Sequence, residues 1–524
     1  MTLSDTGNMI KRINSVILTD GRRVIYYRDL PEILRNAREG LPALSKQNRS
    51  LGIDTTDRWN ACLWMIYCWI DAIPFVPFNE MNTEPLARFH PGGVISSDTA
   101  FDITPKYVKA KRTSGSAEES TEKSTAESSE ASAETLLQTT SEKSDDSSEP
   151  AAPSETAPLI QTAITDQKDG VFCGLLTSGS SSRPKKVPLL RSNMMAAARN
   201  AFEASPPAGS HWGNCLPLLH AGGIAIVFRA LLSGTGIFMW SSFDPEKIIR
   251  DVSLHPQITS ISLVPTMLKR LTEKAEQSCY SNQWNNLNKA LVGGGPADTG
   301  LLKKAEKLGL PVRFSYGMTE TCGQIAAQNK SDARIPGSVG KLFKDHQIRF
   351  EYEKSSSDSS KNNSGEILVS GPQVFPGYLN DDILLPDAPL TRDDPWFRTG
   401  DYGRMESDGT LFIETRRSDL IISGGENVSP AEVESKMLSS GLFDDVAITG
   451  VADPEWGQRV IALLSPVKGS ESLPEDDFRK CTSKLKPHQK PSQYFVVSSL
   501  PRNTMGKLDR PQLQKLALKL INRL

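Results

Sequence analysis

The chain is short of the residues that hold metals and disulfides. Its 524 residues include only seven cysteines (62, 68, 173, 215, 279, 322 and 481) and six histidines. The cysteines are odd in number, scattered, and never paired as C-x-x-C, which argues against a disulfide framework or a zinc site and fits a reducing cytosol. No H-x-x-x-H pair occurs, so a protein-held transition metal is not expected. Charge of one sign is also lacking: 60 basic and 62 acidic residues leave a net charge of -2, with no electrostatic footprint for nucleic acid or an anionic membrane. Long apolar runs are missing too. Residues 1–14 contain no apolar core of an export signal, and the most apolar run, residues 61–70, is half of the roughly 20 residues that a bilayer requires. That run reads as a buried helix. Finally, no aromatic lies between Tyr107 and Phe172. The Ser/Glu/Ala-rich stretch 112–158 within this gap cannot bury enough apolar surface to offset its chain entropy, and reads as a disordered surface insertion.

What remains is 38% hydrophobic, the composition of a globular protein, and long enough for three or four units. Short apolar runs at 170–176, 258–264, 289–292 and 312–315 each precede a turn and a helix-like stretch, the alternation of an α/β fold with largely parallel sheets. A polar stretch at 354–364 between strand-like runs reads as a hairpin loop. Beyond about Arg416 the pattern becomes a short helix (430–439), strands at 446–451 and 459–464, and a last helix from Arg510, which suggests a separate α+β unit. The expected division is 1–111 and 159–415 for a large domain, 112–158 for the insertion, and 416–524 for a small C-terminal domain.

Five segments can carry chemistry. Thr177-Ser178-Gly179-Ser180-Ser-Ser-Arg-Pro-Lys185 follows a strand and offers backbone and hydroxyl donors plus one ammonium to phosphate oxygens. It is not a Walker A loop, and a Ser/Gly surface loop is the plainer reading. Ser315-Tyr316-Gly317-Met-Thr319-Glu320 also follows a strand. Its carboxylate suits Mg²⁺ beside phosphates, although a Thr-Glu pair also serves as a helix cap. Phe397-Arg-Thr-Gly-Asp401 places one acid after a glycine, where it can accept from two ribose hydroxyls. Arg416-Arg-Ser418-Asp-Leu-Ile-Ile-Ser423-Gly424-Gly425-Glu-Asn runs from charge to strand to turn. Pro501-Arg-Asn-Thr-Met-Gly-Lys507-Leu-Asp-Arg510 contains a lysine whose default reading is a solvated loop side chain.

Taken together, in this order and spacing, the five segments resemble the adenylate-forming superfamily of acyl-CoA synthetases, peptide-synthetase adenylation domains and luciferases. The resemblance spans nearly the whole chain outside the insertion. It implies an ATP-, Mg²⁺- and CoA-dependent ligase that forms an acyl-adenylate and then a thioester. It further implies roles for individual residues. Thr177, Ser178, Gly179, Ser180 and Lys185 would grip phosphate. Gly293, Gly294, Gly295 and Pro296 with Ser315, Tyr316 and Gly317 would enclose adenine, and Gly293 would also border the acyl group. Thr319 would meet the α-phosphate, Glu320 would hold Mg²⁺, and Asp401 and Arg416 would hold the ribose. Lys507 would stabilise charge during adenylation. A hinge near Ser418 would then exchange Lys507 for the Ser423-Gly424-Gly425 loop, which faces CoA. The family loop usually has glycine at the positions of Ser182 and Lys186, and a side chain there strains the loop if φ is positive.

Leu216-Pro-Leu-Leu-His220-Ala-Gly-Gly, Arg229, Ser262-Leu-Val-Pro-Thr266 and Gly317–Cys322 resemble most the o-succinylbenzoate–CoA ligases of menaquinone biosynthesis. Arg229 sits in the apolar run 223–232, where a buried guanidinium needs an anion. The second carboxylate of a dicarboxylic acid would supply one, the alternatives being an internal ion pair or snorkelling to the surface. His220 would line the acyl pocket or cap a helix. Two other readings stay open: a ligase for another aryl or fatty acid, and a nucleotide-binding protein with little catalysis. The expected partners are small molecules only, without nucleic acid or an integral membrane segment, in the cytoplasm; the sequence does not determine the oligomeric state.

Overall fold

The structure is a computed structural model that describes residues 16–26, 29–30, 32–33, 50–70, 73–79, 93–95, 169–177, 185–201, 209–277, 284–295, 299–330, 332, 335, 337–352, 364–379, 394–416, 419–424, 426–467, 474–483, 485–502 and 507–523. The 112–158 stretch, Cys279, Ser178–Ser180, Ser182, Pro296, Ser418 and Gly425 lie outside them.

Three sheets organise the described residues. In the largest, His211–Asn214, Ile258–Leu263, Lys289–Val292 and Val312–Met318 run parallel to one another, with Gly236–Met239 parallel to the first. Helices Pro245–Leu254, Pro265–Glu276 and Thr299–Lys307 alternate with these strands, as the sequence alternation requires. The second sheet holds Gly93–Ile95, Leu51–Asp54, Phe75–Phe78 and Val171–Thr177 in parallel, closed by the antiparallel strand Lys185–Leu190. Between the two sheets packs the helix Ala221–Ser233, almost all of it buried. Phe228 on this helix meets Trp69, Phe75 and Phe172 at centroid separations of 4.9–6.4 Å. Trp69 belongs to the helix Arg58–Ile70, which contains the run read as a buried helix. An all-round apolar helix is stable only when enclosed in this way.

The large sheet is not wholly parallel: from Val312–Met318 onward the strands Gly323–Ala327, Ser338–Leu342, Thr410–Arg416, Phe397–Met405, Gly365–Ser370 and Gln347–Glu351 pair antiparallel. The last two form the hairpin expected around 354–364. The reversal begins in a three-residue 3-10 turn, Thr319–Thr321, followed by Cys322 at φ 52° and Gly323 at φ 101°. So short a connection cannot cross over to a parallel neighbour, and an antiparallel pair is the only outcome. The turn also explains Gly317 of the tyrosine-glycine segment. A Cβ there would lie 1.9 Å from the Gly323 carbonyl oxygen, a backbone atom that cannot move aside.

The third sheet is built from Glu426–Val428, Ile421–Ser423, Gly457–Pro466, Phe443–Asp453 and Gln493–Val496, with helices Pro430–Leu438 and Arg510–Ile521 packed on it. It has its own apolar core, including Val433, Met437, Val446, Ile448 and Leu464. This is the small α+β unit expected after Arg416. Lys269 reaches across to it, donating to the Asp444 carbonyl at 2.6 Å.

Candidate functional site

Thr177 and Lys185 are partners in register at the open end of a hairpin, so the intervening loop starts and finishes at one point. The Thr177 hydroxyl is buried and lacks a hydrogen-bond partner among the described residues, an orphan of the kind a bound group would satisfy. Lys186, where the family has glycine, pairs with Leu176 in the strand and has no positive φ, so no left-handed strain arises there.

Glu320 sits in the 3-10 turn, only 8% exposed. Its Oε1 accepts a hydrogen bond from the Tyr378 hydroxyl at 2.9 Å. The described residues contain no cluster of three or more His, Cys, Asp or Glu side chains, so no metal cage is built from protein alone. One nearly buried carboxylate does suit Mg²⁺, which takes one or two carboxylates and completes its shell with phosphate oxygens and water.

Asp401 is buried on Phe397–Met405, stands in register with Arg416 on the next strand, and accepts from the Tyr316 hydroxyl at 2.9 Å. Segments far apart in the sequence therefore meet through the Tyr316–Asp401 hydrogen bond, beside the backbone of Arg416. Ser315, Gly293 and Gly294 lie alongside: a Cβ on Gly293 would come 2.8 Å from the Ser315 Oγ. Gly295 is exposed, its Cβ position 3.7 Å from the Pro265 ring. Thr319 donates no cap; its carbonyl accepts from Cys322 at 3.0 Å.

Lys507 comes to this place from the C-terminal unit. Its Cε and Nζ lie 3.6 and 3.7 Å from the point where a Cβ on Gly294 would be. The loop that carries it is closed at its base by the Arg502–Leu508 bridge and by Asp509 N–H donating to the Pro501 carbonyl at 3.0 Å. Arg510, just beyond, donates to Glu434 at 2.5 and 3.1 Å, tying the last helix to Pro430–Leu438. Ser423 is buried, and Gly424, at φ 60°, packs on Trp456, where an added Cβ would lie 2.8 Å from the indole. That turn is apart from the Lys507 contact in this arrangement.

On the acyl side, His220 occupies the N-cap position of Ala221–Ser233, yet its side chain makes no cap bond. Burial first, and the Lys507 charge second, hold its imidazole down at about 4, so it is neutral at pH 7. Arg58, reaching from Arg58–Ile70, donates to the carbonyls of Asn214 and Leu216, in the segment that leads to His220; a lone arginine 162 positions earlier gave no sequence signal of this. Arg229 is 4% exposed and its Nε has no partner among the described residues. Its guanidinium lies 5.8 Å from the Trp212 ring centroid and beside Cys322 and Gly323, and burial lowers it to about 10. Neither snorkelling nor a carboxylate partner is found for it among the described residues. Trp212 is fixed in turn by donating to the Ser262 hydroxyl at 2.9 Å.

Four histidines, His211, His220, His255 and His346, are all lowered from 6.5, burial being the first cause in each; His220 and His346 reach about 4. The unfolded chain therefore takes up protons before the folded one, and stability is expected to fall as pH drops from about 6.5 towards 4. Thermal midpoints across this window test it, and His346→Gln is expected to flatten the slope. A slope identical to that of the unaltered protein would contradict the assignment.

Residues 96–379 match the family described as AMP-binding enzyme, and residues 432–507 match the AMP-binding enzyme C-terminal domain. A 2-succinylbenzoate–CoA ligase of Bacillus licheniformis is 38% identical over 65% of this chain and 69% of its own length. The o-succinylbenzoate CoA synthetase of Bacillus subtilis, in complex with its acyl-adenylate intermediate, superposes with a TM-score of 0.73 at 25% identity, covering 97% of each chain. MatB of Rhodopseudomonas palustris, bound to ATP, shares the fold with a TM-score of 0.73 at 20% identity, over 98% of this chain and 99% of its own. Among the described residues no helix is long and apolar enough to cross a membrane.

Proposed function

The chain belongs to the family of AMP-binding enzymes, and from that premise we propose that it converts a carboxylic acid, o-succinylbenzoate, to its CoA thioester at the expense of ATP. The observation that carries this reading is the meeting of Lys507, the Gly294 turn and His220, with a buried Arg229 that lacks a carboxylate partner behind them.

A carboxylate oxygen of the acid attacks the α-phosphorus of ATP, and the bond to the bridging oxygen breaks. Pyrophosphate leaves with that electron pair. The Lys507 ammonium neutralises charge that gathers between the carboxylate and the α-phosphate, where a preorganised cation acts most strongly. Thr177 with its loop, Thr319 and Lys185 hold phosphate oxygens, Tyr316 borders the adenine, and Asp401 with Arg416 takes the ribose. Glu320 would hold Mg²⁺, which when bound would supply charge neutralisation on the phosphates. The sulfur of CoA then attacks the acyl carbon, AMP departs, and the thiol proton goes to solvent. For that step the C-terminal unit turns about the segment near Ser418 and brings the Ser423–Gly425 turn to the pantetheine. The Arg229 guanidinium takes the carboxylate that does not react. The enzyme acts in the cytoplasm on small molecules.

The test is incubation with ATP, Mg²⁺, CoA and a panel of acids, measuring thioester, AMP and pyrophosphate. o-Succinylbenzoate is expected to be turned over best, with AMP and pyrophosphate formed in equal amounts. A better monocarboxylic substrate would sink the choice of acid, and ATP binding with no thioester from any acid would sink the ligase reading.

A further inference from the structure

We propose that Tyr378 is a positioning residue that couples the phosphate lysine to the metal-binding carboxylate; this rests on the ligase reading above. The strap 371–379 lies between the two elements concerned and is tied to both. At one end Phe375 N–H donates to the Glu320 carbonyl at 2.8 Å. At the other, Leu379 N–H donates to the Lys186 carbonyl at 3.0 Å, in the strand that begins with Lys185. Two residues before Phe375 the buried Gln373 donates to the carbonyls of Thr321 and Gln324 at 3.2 and 2.9 Å. Tyr378 therefore sits on a backbone held at fixed distances from Lys185 and Glu320.

Its side chain engages both. The hydroxyl donates to Glu320 Oε1 at 2.9 Å, while the Lys185 ammonium lies 4.6 Å from the ring centroid. The ring itself is fixed edge-on to Phe375 at 4.9 Å. The hydrogen bond occupies one carboxylate oxygen and orients the other, Oε2, which has no hydrogen-bond partner among the described residues, for a metal. The ring gives the lysine a resting place that a triphosphate must draw it from. One residue thus sets the direction of the carboxylate and the starting point of the cation. Neither the spacing nor the residue type singled Tyr378 out in the sequence.

The two contacts separate by substitution. Tyr378→Phe keeps the ring and its packing but removes the hydroxyl; Tyr378→Leu removes both. The readout is the rise in thermal midpoint on adding ATP, measured across a Mg²⁺ titration and again in chelator, with the midpoint of the ligand-free protein as the control for folding. Tyr378→Phe is expected to leave the ligand-free midpoint and the metal-free ATP response unchanged. The Mg²⁺ needed for half of the full response should rise roughly tenfold, the size of a hydrogen bond to a charged group. Tyr378→Leu is expected to add a change in the metal-free ATP response, about two- to fivefold in apparent affinity, from release of the lysine. A Mg²⁺ titration of Tyr378→Phe that coincides with the unaltered protein overturns the proposal. So does a metal-free ATP response that is the same in all three proteins. If the unaltered protein shows no response to ATP at all, the ligase reading itself has failed.

Discussion

Replacing Lys507 with alanine is expected to slow acyl-adenylate formation by on the order of a hundred- to a thousandfold, the usual cost of removing one preorganised charge-stabilising group. ATP affinity should change little. The lysine touches the Gly294 turn at its tip, whereas the phosphate loop, Glu320, Tyr316 and Asp401 all belong to the large domain and remain in place. The effect should also be confined to one half-reaction. Pyrophosphate exchange into ATP reports adenylation, and conversion of a synthetic acyl-adenylate by CoA reports thiol attack; the first should collapse and the second should stay within a few-fold. Removing the ammonium also removes the second influence on His220, so any acid-side titration of that imidazole should move up in the variant. Equal losses in both half-reactions would refute the division of labour.

Arg229→Met is expected to separate catalysis from stability. A guanidinium that is 4% exposed, with an aromatic ring at 5.8 Å and no carboxylate partner among the described residues, is held away from water at a cost to the fold. A methionine of similar length fills the same space without that cost. The substrate-free variant should therefore be more stable, by about 1 kcal/mol or more, seen as a higher thermal midpoint. Turnover of o-succinylbenzoate should move the other way. Losing the partner of a buried carboxylate corresponds to a fall in kcat/KM of on the order of a hundredfold, carried mainly by KM. An analogue whose aromatic carboxylate is replaced by a methyl group should lose far less. If the variant were less stable and the dicarboxylate unaffected, Arg229 would be a structural residue.

The fold was legible where local pattern and tertiary outcome coincide. Apolar runs alternating with helical stretches are what parallel βαβ units require, and the apolar helix around Trp69 has no stable place except within the core. Apart from the hairpin around 354–364, the antiparallel part of the large sheet was not legible, because its cause is the three-residue turn at Thr319 and the positive φ of Cys322, which no periodicity announces. The candidate site divides in the same way. Asp401 and Arg416 are near enough in sequence, and on adjacent strands, for their pairing to follow from a hairpin. That residues 220, 294 and 507 meet depends on how the C-terminal unit docks, through contacts such as Lys269 to Asp444, and these are invisible in one dimension. Tyr378 was missed for the same reason: its partners, Lys185 and Glu320, are brought to it by a strap tied to Glu320, Thr321, Gln324 and Lys186 through hydrogen bonds that are long-range in sequence.

The 1.9 Å separation at Gly317 bears on how a saturation library of this chain would read. Gly317 lies inside the Ser315–Glu320 segment proposed to border the nucleotide, so intolerance to every substitution there would invite a catalytic explanation. The obstruction is between any added Cβ and the backbone carbonyl of the neighbouring strand, and exists whether or not ATP is present. Variants at this position should disappear from the pool at the level of protein abundance, before any selection for turnover, whereas Lys507 variants should accumulate normally and fail only when the reaction is demanded of them.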